Sequence, residues 1–165
     1  MNSDTSDFLS TLLELADNGE RETRHVRDWT IHQFHPDFVA AVDSFLSGFH
    51  DYLRGLREAA ATAGMSETEI ECMNEFGAER SFGGNVFLSL SGHGAGFRDD
   101  SDTARGKSLQ SALVRYSGNR YRFEELGAYS LAKFSGKIHL AYRTAAFRKE
   151  ALAKLFTPAA QPATV

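Results

Sequence analysis

Asn85-Val86-Phe87-Leu88-Ser89-Leu90 runs straight into Ser91-Gly92-His93-Gly94-Ala95-Gly96-Phe97-Arg98-Asp99-Asp100, and the reading of this stretch decides the fold. Val86, Leu88 and Leu90 alternate with Phe87 and Ser89, a period of two that predicts a strand. Gly83 and Gly84 precede it and mark the end of a helical region. The glycine-rich turn follows, and Phe97 returns the chain to the interior. A strand at 85–90 needs partners. Residues 129–134 and 137–142 offer them as two strands joined at Ser135-Gly136, a two-residue hairpin turn. The expectation is an antiparallel sheet in which 85–90 pairs with the 129–142 hairpin.

Upstream of this stretch the periodicity is helical. Phe8, Leu9, Leu12, Leu13, Leu15 and Ala16 predict a first helix from Ser6 or Asp7, capped by Asp4 or Ser6 and closed by Gly19. Trp29 and Ile31 alternate with polar neighbours and read as a short strand or extended arm. His35 and Pro36 open a second, long helix, with proline tolerated in the first turn. Phe38, Val42, Phe45, Leu46, Phe49, Leu53 and Leu56 lie on its buried face, and Gly64 stops it. Gly48 and Gly55 would bend it or admit a close neighbour. Ser66 with Glu69 makes a capping box for a third helix carrying Ile70, Met73 and Phe76. Downstream, Leu109, Ala112, Leu113 and Tyr116 predict a helix over 107–117, and residues 121–126 stay ambiguous. A last helix runs from Thr144, its N-cap, to Phe156, with Phe147, Leu152, Leu155 and Phe156 inward. Helices first and antiparallel strands later give an α+β domain: an N-terminal helical layer of three helices on a small sheet, then a C-terminal helix. Residues 1–156 form this domain and 157–165 a flexible tail.

Composition narrows the function classes. The formal charge is −4, and 24% of residues are charged. The acid lies mostly in the first hundred residues, and 105–154 is basic. Broad tracking of nucleic-acid phosphates is disfavoured, because it needs a clustered basic face. The nucleic-acid alternative rests on Arg115, Arg120, Arg122 and Lys133. Cys72 is the sole cysteine, which excludes an intrachain disulfide and a cysteine-based zinc site. Cys72 itself is expected to be buried and inert in the third helix. The polar, acidic start has no signal-peptide pattern, and no run has the apolar length of a membrane span. These readings predict a cytoplasmic protein without membrane contact.

The Gly-His-Gly-Ala-Gly turn is the one local signature. Gly92, Gly94 and Gly96 permit positive φ and close backbone approach. Successive amides there can form an anion-binding concavity, with His93 as a proton-transfer group. Asp99 and Asp100 follow. Steric need in a tight turn explains the same glycines without any chemistry, and is the favoured reading. The dinucleotide fingerprint and the P-loop lysine are absent, as is the serine-hydrolase elbow. His25, His32, His35 and His50 surround the second helix as single surface or interface histidines. Pro36 breaks the helical spacing that would join His32 and His35 at a metal.

The stretch with its downstream Gly106-Lys107-Ser108-Leu109 and Gly136-Lys137 resembles a family of small phage and prophage proteins. That family carries Asn-Gly-His-Gly-Ala-Gly-Phe-Trp-Asp, then a helix opened by Gly-Asp-x-Leu, then a hairpin containing Gly-Lys. Gly92, His93, Gly94, Ala95, Gly96, Phe97 and Asp99 match, as do Gly106, Leu109, Gly136 and Lys137, across residues 83–142. Ser91 replaces the family's asparagine and Arg98 its tryptophan. The resemblance implies context, a mobile-element protein made in a bacterial cytoplasm; small proteins of that origin often block host machinery, and by that association the expected function is to bind and modulate or inhibit a host defence or regulatory protein. On this reading Gly92, His93, Gly94, Gly96, Arg98 and Asp99 form the binding site, with no cofactor and no metal. A hydrolase or nuclease using His93 with Asp99 and Asp100 is the alternative. A second copy of the chain is a further candidate partner if the long helix has apolar surface to spare.

Overall fold

The computed structural model describes residues 1–18, 28–63, 81–92, 96–98, 104–119, 121–126, 131–142 and 144–159. The fold is α+β: five described helices and one two-stranded antiparallel sheet. Helix α1 spans Ser3–Asn18. It starts earlier than its apolar pattern predicts, because Asn2 is the cap and accepts the Thr5 N–H at 2.8 Å. Asp4, one of the expected caps, instead bonds His50 Nε2 at 2.8 Å. Asp43 receives both the Asn2 amide at 2.7 Å and the Thr5 hydroxyl at 2.8 Å. Phe8, Leu9, Leu12 and Ala16 are fully buried beneath this polar seam.

Helix α2, Pro36–Ala63, follows the predicted face: Phe38, Val42, Phe45, Leu46, Phe49 and Leu53 are buried. At about 1.5 Å per residue its 28 residues form the longest element of the domain. Gly48 leaves room for a side chain from elsewhere. A Cβ there would lie 2.4 Å from the Tyr116 hydroxyl, which donates to the Phe45 carbonyl at 3.0 Å. Burial pushes the Tyr116 phenol up to about 12; the Arg122 charge opposes this and Asp51 adds to it. Before α2, Ile31–Gln33 is a 3₁₀ turn and not an extended arm. Thr30 ahead of the turn is extended, and Phe34 after it makes a single parallel bridge to Ile138.

The largest correction falls on residues 85–90. They are helical, within α3, Phe82–Leu90, and pair with no strand. Phe82, Gly83, Gly84, Val86, Phe87, Ser89 and Leu90 are buried, so the helix is enclosed around most of its girth. An all-round apolar helix presents a continuous run that mimics a strand. Gly83 and Gly84 do not end a helix; they open this one. A Cβ on Gly83 would lie 1.8 Å from the Asp4 carbonyl oxygen, so α1 and α3 touch backbone to backbone. The sheet is correspondingly smaller than predicted. The third helix expected at 66–77, with Cys72, lies outside the described residues.

Helix α4 is Ala104–Ser117, three residues longer at its start than predicted. Leu109, Ala112, Leu113 and Tyr116 are buried as its spacing requires. Gly118 ends it at φ 76, with its N–H on the Val114 carbonyl at 2.9 Å. The ambiguous segment resolves into turns and a 3₁₀ stretch, Glu124–Leu126. Its Phe123 sits at the centre of the aromatic core, 5.3 Å from Phe8, 5.5 Å from Phe45 and 5.3 Å from Phe156 between ring centroids. Strands β1, Leu131–Phe134, and β2, Lys137–Leu140, form the predicted hairpin. Ser135 at φ 50 and Gly136 at φ 75 make its two-residue turn. Helix α5, Ala145–Phe156, is capped by Thr144, whose hydroxyl accepts the Phe147 N–H at 3.3 Å. Leu155 and Phe156 are buried, but Phe147 is 60% exposed and does not join the core. Past α5, the Ala159 N–H still donates to the Tyr116 carbonyl at 2.9 Å. No helix among the described residues is long and apolar enough to cross a membrane.

Candidate functional site

The described ends of the glycine-rich turn are occupied structurally. Gly92 and Gly96 adopt φ 83 and φ 82, as the sequence requires. Gly96 is buried, and a Cβ there would lie 2.6 Å from both the Asn85 carbonyl and the Ser89 hydroxyl. The Phe97 N–H donates to that hydroxyl at 2.9 Å, and the Phe97 ring packs on Phe82 at 5.9 Å. Gly96–Arg98 forms one 3₁₀ turn. His93, Gly94, Asp99 and Asp100 lie outside the described residues.

The basic set considered for nucleic acid is divided by the fold. Arg115 and Lys133 are exposed. Arg120 lies outside the described residues. Arg122 is engaged internally. Its guanidinium donates to the Leu155 carbonyl at 2.6 Å, the Lys154 carbonyl at 2.8 Å, and the carbonyls of Ser117 and Thr157. It thereby caps the C-terminal ends of α4 and α5, where the helix dipoles are negative. Burial lowers its pKa and the Tyr116 phenol partly offsets this.

A different group of side chains is assembled on the outside of the hairpin. The register pairs Ala132 with His139 and Phe134 with Lys137, which places these four on one face. Leu131, Ile138 and Leu140 are buried on the other face. His139 lies between two rings: the His35 centroid is 4.5 Å away and the Phe134 centroid 6.0 Å away. The Arg148 guanidinium, from α5, covers Phe134 at 5.6 Å from its centroid. One Arg148 nitrogen also donates to the Tyr142 carbonyl at 3.0 Å. His35 is fixed by the backbone. Its N–H donates to the Ile138 carbonyl at 2.9 Å, and its Nδ1 accepts the Asp37 N–H at 3.2 Å.

Beside this row, between the start of α2, strand β2 and α5, lies a cavity of about 110 Å³. His35, His139, Arg148, Lys149 and Asp37 supply its polar wall, over Phe38, Leu140 and Leu152. Burial holds the His139 imidazole below the usual histidine range; the fields of His35 and Arg148 act in the same sense, and Asp37 opposes them. Phe134, Tyr142 and Phe147 are 46%, 40% and 60% exposed; Arg148 covers the first, bonds the backbone carbonyl of the second and follows the third on α5. Eleven of the 18 lysines and arginines lie from Arg105 onward, against three of the 22 acids, so the hairpin and α5 belong to the basic half of the chain.

No protein family, curated protein or solved structure matches this chain. Among the described residues, no cluster of three or more His, Cys, Asp or Glu side chains is placed to hold a metal ion. Sequence reading took His35 for a solitary histidine and did not weigh His139, Phe134 or Arg148. The usable signal was the hairpin itself. Once 131–140 is folded at Ser135-Gly136, strand alternation puts Phe134 and His139 on one face. The approach of His35 depends on the Phe34–Ile138 bridge, which no local pattern announces.

Proposed function

We propose that this protein works by binding a partner protein on the face formed by the outer side of the hairpin and the first turns of α5. The observation that carries the reading is Phe134, left in solvent beneath the Arg148 guanidinium, with Tyr142 and Phe147 also exposed on the segment from β2 into α5. Aromatic and arginine side chains dominate the energetic centres of protein interfaces, because they bury much area at little entropic cost. The likeness of residues 83–142 to phage proteins supplies the context. In that context the protein is a phage- or prophage-derived accessory factor acting in the bacterial cytoplasm, and its partner is a host defence or regulatory protein that it modulates or inhibits.

The test compares wild type with a Phe134→Ala/Phe147→Ala variant. Both side chains are exposed, so folding is expected to survive their removal. Wild-type protein on a support should retain a host protein in fixed stoichiometry. The variant should bind the recovered partner at least about 100-fold more weakly, the loss of two side chains worth ~1.4 kcal/mol or more each. Equal affinity would remove this face from the reading. Turnover of nucleotides, phosphoesters or oligonucleotides that vanishes in His93→Ala would replace the binder with the hydrolase or nuclease alternative.

A further inference from the structure

The cavity beside the aromatic row has a size, a charge balance and a set of unspent donors that together specify a ligand. We propose that it receives a single carboxylate from an acidic segment of the partner protein; this rests on the binding reading above. A volume of about 110 Å³ is well below the ~300–1,000 Å³ of sites for cofactors and drug-sized molecules, and suits the tip of one side chain. The permanent charges on its wall are Arg148 and Lys149, positive, and Asp37, negative. Their balance is one positive charge, which one carboxylate neutralises. A phosphate dianion would leave an uncompensated charge facing Asp37.

The donors are available. Among the described residues Arg148 spends one of its five N–H groups, on the Tyr142 carbonyl, and Lys149 has no ion pair. The first residue of α5, Ala145, also lines the cavity, so the positive end of that helix adds to the field. An anion here would offset the His35 and Arg148 fields that now disfavour the charged form of His139. Carboxylate binding should therefore raise the His139 pKa, with Asp37 already acting in that direction and Lys149 against it.

The probe is a hexaglutamate peptide, with hexaglutamine and inorganic phosphate as comparisons, titrated at physiological salt into protein labelled at its histidine rings. Hexaglutamate should shift the His35 and His139 imidazole signals saturably and move the His139 pKa upward. Hexaglutamine should do neither, and phosphate should bind more weakly. Lys149→Gln and Arg148→Gln should each weaken the hexaglutamate response about tenfold, the worth of one charge-assisted contact. An unmoved pair of histidines would overturn the proposal, as would shifts unchanged in both variants or a preference for phosphate. The recovered partner separates this failure from that of the binding reading. Loss of affinity in Phe134→Ala/Phe147→Ala with full affinity in Lys149→Gln and Arg148→Gln defeats the cavity alone. Full affinity in all of them defeats the face.

Discussion

Helix α3 lies at the centre of the molecule and the hairpin at its rim, yet both are short segments rich in Val, Leu, Ile and Phe. The hairpin has two chemically different sides. Leu131, Ile138 and Leu140 point inward, while Phe134, Lys137 and His139 point out, and a turn with two positive φ angles fixes which is which. In α3 the apparent alternation hides a nearly uniform run. Val86, Phe87 and Leu90 are all buried, and Ser89 is buried too because its hydroxyl holds the Phe97 amide. What separates the two outcomes is the pair of glycines ahead of Val86. They let α1 come within backbone contact, a neighbour that a helix can accept on one side and a strand would need on its edge. A segment buried all round takes the shape of its neighbours' surfaces; a segment buried on one side keeps the shape its own pattern dictates.

That contrast can be broken most severely at Gly83. A Gly83→Val side chain would collide with the Asp4 carbonyl and the Phe8 amide of α1. The expected loss is about 3 kcal/mol or failure to fold, at the upper end of overpacking costs. Gly55→Ala is the control: nothing lies within 4 Å of its would-be Cβ, and the exchange should stabilise α2 by about 0.5–1 kcal/mol. Urea denaturation of both variants decides the matter. A Gly83→Val protein as stable as wild type would show that the α1–α3 approach does not fix α3.

The hairpin should yield less. Gly136 also has open space around it, so Gly136→Ala adds no clash and only the strain of φ 75, about 1–2 kcal/mol. Gly136→Asn should recover part of that loss, since asparagine tolerates this region. If alanine there is neutral, the turn is not what sets the register. The smallest effect belongs to His139. Its folded pKa is depressed, so below about pH 6.5 the unfolded chain takes a proton that the folded chain refuses. Stability is therefore full above that pH and falls as pH drops toward the folded pKa. The drop in Tm between pH 7.5 and 5.5 should be smaller in His139→Gln than in wild type. Equal drops would mean that the imidazole does not feel its surroundings.

The helices α1, α2, α4 and α5 were legible because each has one apolar stripe, and three of them have a recognisable end: Pro36 before α2, Thr144 before α5, Gly118 after α4. The hairpin was legible from Ser135-Gly136. Helix α3 was not, since periodicity carries no information when both sides are buried. Phe147 was misplaced because helical spacing predicts a stripe without saying how far the core extends beneath it. The glycine-rich turn was legible as a backbone device, through Gly92 and Gly96. The aromatic row was invisible because it joins residues 34 and 35 to residues 134–148, and only tertiary packing brings them together.

Arg122 has a consequence for how the chain is assembled. It reaches the Thr157 carbonyl, 35 residues away in sequence, and also the end of α4. The hairpin and α5 thus lie within a loop clasped at its base by one planar cation, much as a metal ion clips a loop shut. Closing such a loop costs entropy that grows only slowly with its length. The proposed binding face could therefore lengthen or vary between its two ends without loosening the clasp that anchors it to the core.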